Sequence, residues 1–204
     1  MARRAQGGAG DIALEAARIF VEEALTDYGQ AKRRAAERLG LPARSALPDN
    51  AQVEAEVLAY QRLFGGAAYV ARLRLLRQSA VQAMKLLARF EPRLSGAVVS
   101  GAISDAHRVQ LHCFPDQAEL VDVFLAERGF EVDIDERDYR FGDGRRESVP
   151  LACFQAGGVG VDVALFAPGQ QRRAPLSLTS GRPALRLNLS DAEQLAAAPI
   201  TTLF

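Results

Sequence analysis

The sequence predicts an α+β fold, an N-terminal helical domain followed by a small mixed β-sheet with packing helices. Apolar residues recur at helical spacing as far as about residue 91, period-two alternation takes over beyond Gly96, and glycine or proline punctuates the segments. Of 204 residues 49% are apolar, enough for a real core in a domain of ordinary size.

Residues 1–10, rich in glycine and alanine, read as a flexible tail. The helical domain is expected over 11–95. Ile12, Ala16, Ile19 and Phe20 make one helical stripe with Asp11 as its N-cap. Gly29 interrupts, and a second helix over about 28–40 ends at Gly40 with Pro42 just beyond. Asp49 and Asn50 can cap a third helix over 50–64, which Gly65-Gly66 closes. A fourth, over about 67–91, carries Leu73, Leu76, Ala80, Met84, Leu87 and Phe90 on one stripe up to Pro92.

An α/β domain is expected over 96–168. It begins with a short strand over 97–100, followed by clean alternation from Arg108 to Phe114. An amphipathic helix over 117–128 points Leu120, Val121, Phe124 and Leu125 inward. Strands over 130–141, 149–155 and 159–166 follow, separated by the turns Asp143-Gly144 and Gly157-Gly158. Residues 169–204 read as an irregular tail packing on this domain, with a short helix starting near Ser190.

Lysine plus arginine and aspartate plus glutamate both number 25, so net charge gives no argument for nucleic-acid binding. Residues 1–95 nevertheless carry 15 basic and 10 acidic side chains and the remainder the reverse, a polarity that can steer a partner to one end or, the simpler reading, help the two halves dock. Two cysteines, Cys113 and Cys153, in apolar runs read as buried thiols, and without a CxxC or Cys/His cluster a zinc site of the usual kind is not expected. Arg3-Arg4 has no apolar segment behind it, and no run of about 18 apolar residues occurs. The expectation is a cytoplasmic protein without membrane contact.

The segment from Val98 to Phe114 resembles the nucleotidyltransferases of the polymerase-beta-like superfamily. That superfamily has a strand ending in glycine-serine, a second strand with aspartates at i and i+2, and a third carboxylate on a later strand. Residues i and i+2 share one face of a strand, so paired carboxylates converge on divalent metals, which neutralise a triphosphate and activate the attacking hydroxyl. Here Ser100-Gly101 stands in the reverse order, the second strand offers Arg108, Gln110 and His112 on its polar face, and Asp162 lies on the later strand. Across about residues 11–195 the chain is also similar to small proteobacterial nucleotidyltransferase-like proteins, through Asp27-Tyr28, Ala31-Lys32-Arg33, Leu47-Pro48-Asp49-Asn50, Leu111-His112 and Gly181-Arg182-Pro183.

The resemblance implies a cleft lined by Ser100, Gly101, Arg108, Gln110, His112 and Asp162. Arginine in place of a metal-binding carboxylate inverts the local charge, since it is always protonated and binds no cation. Arg108 is expected opposite Asp162, its charge substituting for a metal's. The leading reading is a catalytically degenerate member that binds a nucleotide or another phosphate-bearing partner. One alternative is an active enzyme using magnesium on Asp105 and Asp162, with His112 as general base. Against it, Asp105 also suits a turn cap and a lone strand histidine a structural role. A third reading is nucleic-acid binding or regulation through Lys32, Arg33, Arg34 and Arg38 with Arg72, Arg74 and Arg77, where the competing explanation is a solvated helix face. The acidic run at Glu131, Asp133 and Asp135 suits a solvent-facing strand better than a relocated metal site. Ser100 and Ser104 lack the glycine context of a hydrolase nucleophile.

Overall fold

The computed structural model of the chain describes residues 8–202. Helix α1 spans Ala9–Glu22 and so begins before Asp11. Gly8 is the N-cap; Asp11 sits at the third helical position, where its carboxylate accepts the Gly8 N–H at 3.0 Å and complements the helix dipole. Residues 1–7 of the expected tail lie outside the described residues.

Helix α2 is Tyr28–Arg38, capped by Asp27, whose carboxylate accepts the N–H groups of Gly29 and Gln30. Gly29 is therefore inside the first turn, not a break. Helix α3 is Asn50–Phe64, and Asp49 exchanges hydrogen bonds with Gln52 in a reciprocal cap. Ile12, Ala16, Ile19 and Phe20 of α1 pack with Ala31, Ala35, Val53 and Val57 in a core of their own. Helix α4 is Gly66–Leu86, and the turn after it, Ala88–Phe90, tightens to a 3₁₀ geometry.

The first strand is not where the sequence placed it. Strand β1 is Arg93–Ser95, and Ala97–Ser100 forms a short helical turn, α5. Two features override the β-branched pair at 98 and 99. Gly96, at φ +80°, turns the chain off the sheet. Arg77, buried on α4, donates to the carbonyls of Val98 and Val99, oxygens that a sheet ladder would need.

The remaining elements are β2 (Val109–Cys113), α6 (Glu119–Ala126), β3 (Asp133–Arg140), β4 (Arg146–Ala156), β5 (Val159–Leu165) and α7 (Leu189–Ala197). The sheet order is β1-β2-β5-β4-β3, with β2 and β5 parallel and every other pair antiparallel. Helices followed by a small mixed sheet with packing helices is the α+β arrangement expected.

One sheet face, with Leu94, Val109, Leu111, Val161 and Val163, is buried against Leu73, Leu76, Met84 and Leu87 of α4 and its continuation. Each such large aliphatic side chain contributes roughly 1.5–3 kcal/mol on burial. The opposite face carries Gln110, His112, Cys153 and Asp162, with a smaller cluster of Phe114, Phe166, Val149 and Leu151 at one end. The segment after β5 crosses this face. It hydrogen-bonds Arg140 through Leu176, reaches Asn50 of α3 through Leu178, and bridges β1 through Leu187 before α7 docks on α4. The outer strand β3 is exposed and dense in charge, which discourages edge-to-edge pairing. No helix among the described residues is long and apolar enough to cross a membrane.

Candidate functional site

Asp162 is the centre of the polar sheet face. Parallel pairing sets it beside Gln110 on β2, and antiparallel pairing sets it beside Cys153 on β4. Arg108 lies just before β2, two positions from Gln110 and on the same face, so its side chain reaches Asp162 diagonally. Its Nε donates to Asp162 Oδ1 at 2.6 Å. Arg137 of β3 reaches the other oxygen, Nη2 to Oδ2 at 3.4 Å. The Asp162 side chain is 10% exposed, while Arg108 and Arg137 are 35% and 37% exposed. Both carboxylate oxygens are thus held by guanidinium groups, and Arg108 Nη2 is further tied to the Phe154 and Val161 carbonyls at 3.4 and 3.5 Å.

Gly160 makes room for this pairing. A Cβ there would stand 2.2 Å from Arg108 Nη1 and 2.4 Å from its Cζ. Cys153 is held as a neutral thiol: burial first, and the neighbouring Asp162 carboxylate second, push its pKa up to about 11.

Magnesium does not fit this site. Two unit charges about 4 Å apart interact by roughly 4 kcal/mol at an intermediate dielectric, and here two arginines would repel a divalent ion. Among the described residues no group of three or more His, Cys, Asp or Glu side chains could hold a metal. Asp133 and Asp135 lie on exposed β3, where Asp135 accepts the Glu136 N–H.

The other residues singled out in the sequence divide between locations. Gln110 is beside Asp162, and a Cβ on Gly96 would meet its Oε1 at 2.3 Å. The pair that ends the strand on this face is therefore Ser95-Gly96. Ser100 instead donates its hydroxyl to Glu54 Oε1 at 2.9 Å, and Gly101, at φ +89°, accepts the Tyr69 hydroxyl on its carbonyl at 3.0 Å. Both make their contacts with α3 and α4. Asp105 occupies a turn, gives its carbonyl to Arg72, and lines a cavity beside α3 and α4 together with Tyr60 and Tyr69.

His112 shares the sheet face with Asp162 but is buried. Its Nδ1 accepts from Arg186 Nε at 2.8 Å, and its ring packs edge-on to Tyr139 and tilted to Phe166. Burial, with repulsion from Arg186 and Arg137, lowers its pKa to about 3. The lone pair a general base would use is already taken by an arginine.

Arg137, Arg186 and His107 drew no attention in the sequence. Arg137 is brought in by strand pairing that spans 25 residues, and no local spacing announces it. Arg186 comes from the segment after β5, stacks over Phe114 and Phe166, and gives Nη1 to the Gln170 carbonyl. Burial lowers its pKa to about 10. His107 accepts the Ser104 N–H on Nδ1 at 2.9 Å, and burial brings its pKa down to about 4. The Ser104 hydroxyl donates to the Leu25 carbonyl at 2.7 Å and lies 3.0 Å from the same His107 Nδ1, whose lone pair already accepts the Ser104 N–H.

The basic helix residues are largely engaged at home. Arg34 pairs with Glu23, Arg38 with Glu15, and Lys32 donates to Asn50 and the Pro48 carbonyl. Arg72 and Arg77 bind backbone carbonyls. Arg33 lies 3.9 Å from Asp27, and both side chains are 64% exposed. No protein-family model, curated protein or solved structure matches the chain.

Proposed function

We propose that this chain is a nucleotidyltransferase-type fold in which an arginine–carboxylate cluster has replaced the metal centre. It binds a nucleotide, or another phosphate-bearing partner, on the sheet face without a metal and without group transfer. The observation that carries the proposal is the double engagement of Asp162 by Arg108 and Arg137. The carboxylate neutralises one of the two positive charges, fixes both guanidinium planes, and leaves an excess positive charge, with Arg108 Nη1 making no hydrogen bond to the described residues. A phosphate oxygen suits that charge and donor, and the bond would be charge-assisted. Gln110, beside Asp162 in register, supplies a neutral amide at the edge of the same surface. The two unpaired thiols suit a reducing compartment such as the cytoplasm.

Calorimetric titration of the intact chain with ATP, in EDTA and in magnesium, tests this. Binding should persist in EDTA and weaken by about tenfold or more in Arg108→Ala, as expected for loss of a charge-assisted contact. Binding that requires magnesium and is abolished by Asp162→Asn would instead establish the metal-dependent enzyme and end the proposal.

A further inference from the structure

A second site stands apart from the sheet face. A cavity of about 220 Å³ opens between α1, α3, α4 and the loop around Ser104, and no residue of the Arg108–Asp162 cluster lines it. Three aromatic rings contribute to the wall: Tyr60, Phe64 and Tyr69. Tyr60 and Phe64 form a tilted pair with centroids 4.9 Å apart, and Phe64 remains 69% exposed.

Two opposite charges complete the lining, Arg72 and Asp105. They form no ion pair with each other or with another described residue. Arg72 instead gives Nη2 to the carbonyls of Asp105 and His107, at 3.0 Å each, which fixes the guanidinium beside the cavity. Its Nε is sealed from water and has no acceptor. A cation lacking an anion and a carboxylate lacking a cation, both beside aromatic walls, are complementary to a molecule that carries both charges and a ring. The size agrees: pockets for drug-sized ligands run from roughly 300 to 1,000 Å³, so this one admits a single ring with a short chain.

We infer that this cavity binds a free aromatic amino acid, its ring among Tyr60, Phe64 and Tyr69, its carboxylate on Arg72 and its ammonium on Asp105. The inference is independent of the sheet-face reading. Stacking and edge contacts to the three rings supply hydrophobic attachment, and the charge pair supplies orientation.

The test is calorimetry on the full chain with four probes: L-phenylalanine, 3-phenylpropionate, 2-phenylethylamine and L-alanine. L-Phenylalanine should bind saturably at one site. Each analogue, lacking ammonium, carboxylate or ring, should bind about tenfold more weakly or worse, because a charged or apolar group is left without its partner. Asp105→Asn should weaken L-phenylalanine by a similar factor and leave 3-phenylpropionate unchanged. Asp105 is exposed, so this variant is expected to fold, whereas Arg72 anchors the loop and is left intact. Ala68→Leu, which enlarges a side chain on the cavity wall, should weaken binding of both while circular dichroism stays the same. Absence of saturable L-phenylalanine binding into the millimolar range, equal affinity for L-phenylalanine and 3-phenylpropionate, or indifference to both variants would overturn the inference.

Discussion

Asp162→Asn isolates the electrostatic content of the site, because it keeps the shape of the side chain and removes its charge. In the native chain one carboxylate, 10% exposed, holds two guanidinium groups that are each a little over one third exposed. Exposed ion pairs contribute roughly 0–1 kcal/mol, and removal of one partner from a fully buried pair costs about 3–5 kcal/mol. Asp162 is the buried member and its partners are half in solvent, so the loss falls between these limits, at about 2 kcal/mol. Part of that loss is repulsion between Arg108 and Arg137 once nothing negative lies between them. For a chain of this size about 2 kcal/mol corresponds to a fall in Tm of roughly 4–8 °C. Urea unfolding of the wild type and of Asp162→Asn gives the free energy directly, and a melt gives the Tm. A double-mutant cycle with Arg108→Gln should return a coupling of about 1 kcal/mol, since the pair at 2.6 Å is in direct contact. The cycle with Arg137→Gln should return less, because that contact is 3.4 Å. A loss below about 0.5 kcal/mol, the level of an ordinary surface change, would refute the claim that the two arginines depend on Asp162.

Gly160→Ala should act on Arg108 from a distance of one methyl group. The new Cβ would overlap the guanidinium, which is the mobile end of its side chain, so Arg108 should swing aside and ATP binding in EDTA should fall toward that of Arg108→Ala, with stability lowered by about 1 kcal/mol; unchanged binding would show that the guanidinium does not need that space. Acid should destabilise the fold above the range where carboxylates titrate. His107 and His112 have folded pKa values near 4 and 3, below the unfolded value of about 6.5, so below that pH the unfolded chain takes up protons that the folded chain refuses. Stability should therefore be full above about pH 6.5 and fall by up to roughly 1.4 kcal/mol per pH unit for each ring as pH drops toward 5. Urea unfolding at several pH values checks this, and a flat profile across that window would contradict the buried, neutral assignment of both rings.

The helices were legible because their signals are local. Asp49 announces the start of the third helix, and the stripe from Leu73 announces the fourth, although that helix ends at Leu86 and the last turn of the stripe, up to Phe90, tightens to 3₁₀ geometry. The start of the sheet was not, for the opposite reason. Arg93–Ser95 is too short to show alternation and becomes a strand only by pairing with residues 110–112 and bridging Leu187. Ala97–Ser100 looks like a strand in isolation, and is bent into a helical turn by Gly96 and by Arg77 from another helix. The same contrast divides the site. Alternation placed Arg108, Gln110 and His112 on one face of their strand and set Asp162 apart from Val161 and Val163 on another, but the pairing of the two strands, and with it the contact between Arg108 and Asp162, was an implication of the resemblance and not of spacing. Arg137 and Arg186 arrive through strand order and a crossing segment, which no spacing in the chain encodes. Ser100 and Gly101 belonged to the misplaced strand, and they moved with it to the helical side.

The most direct test of the central claim is a crystal structure grown with ATP and manganese, with the anomalous signal used to locate the metal. Triphosphate oxygens should lie against the guanidinium groups of Arg108 and Arg137, with no manganese at Asp162. An anomalous peak coordinated by Asp162, with Arg108 turned away from it, would contradict the account.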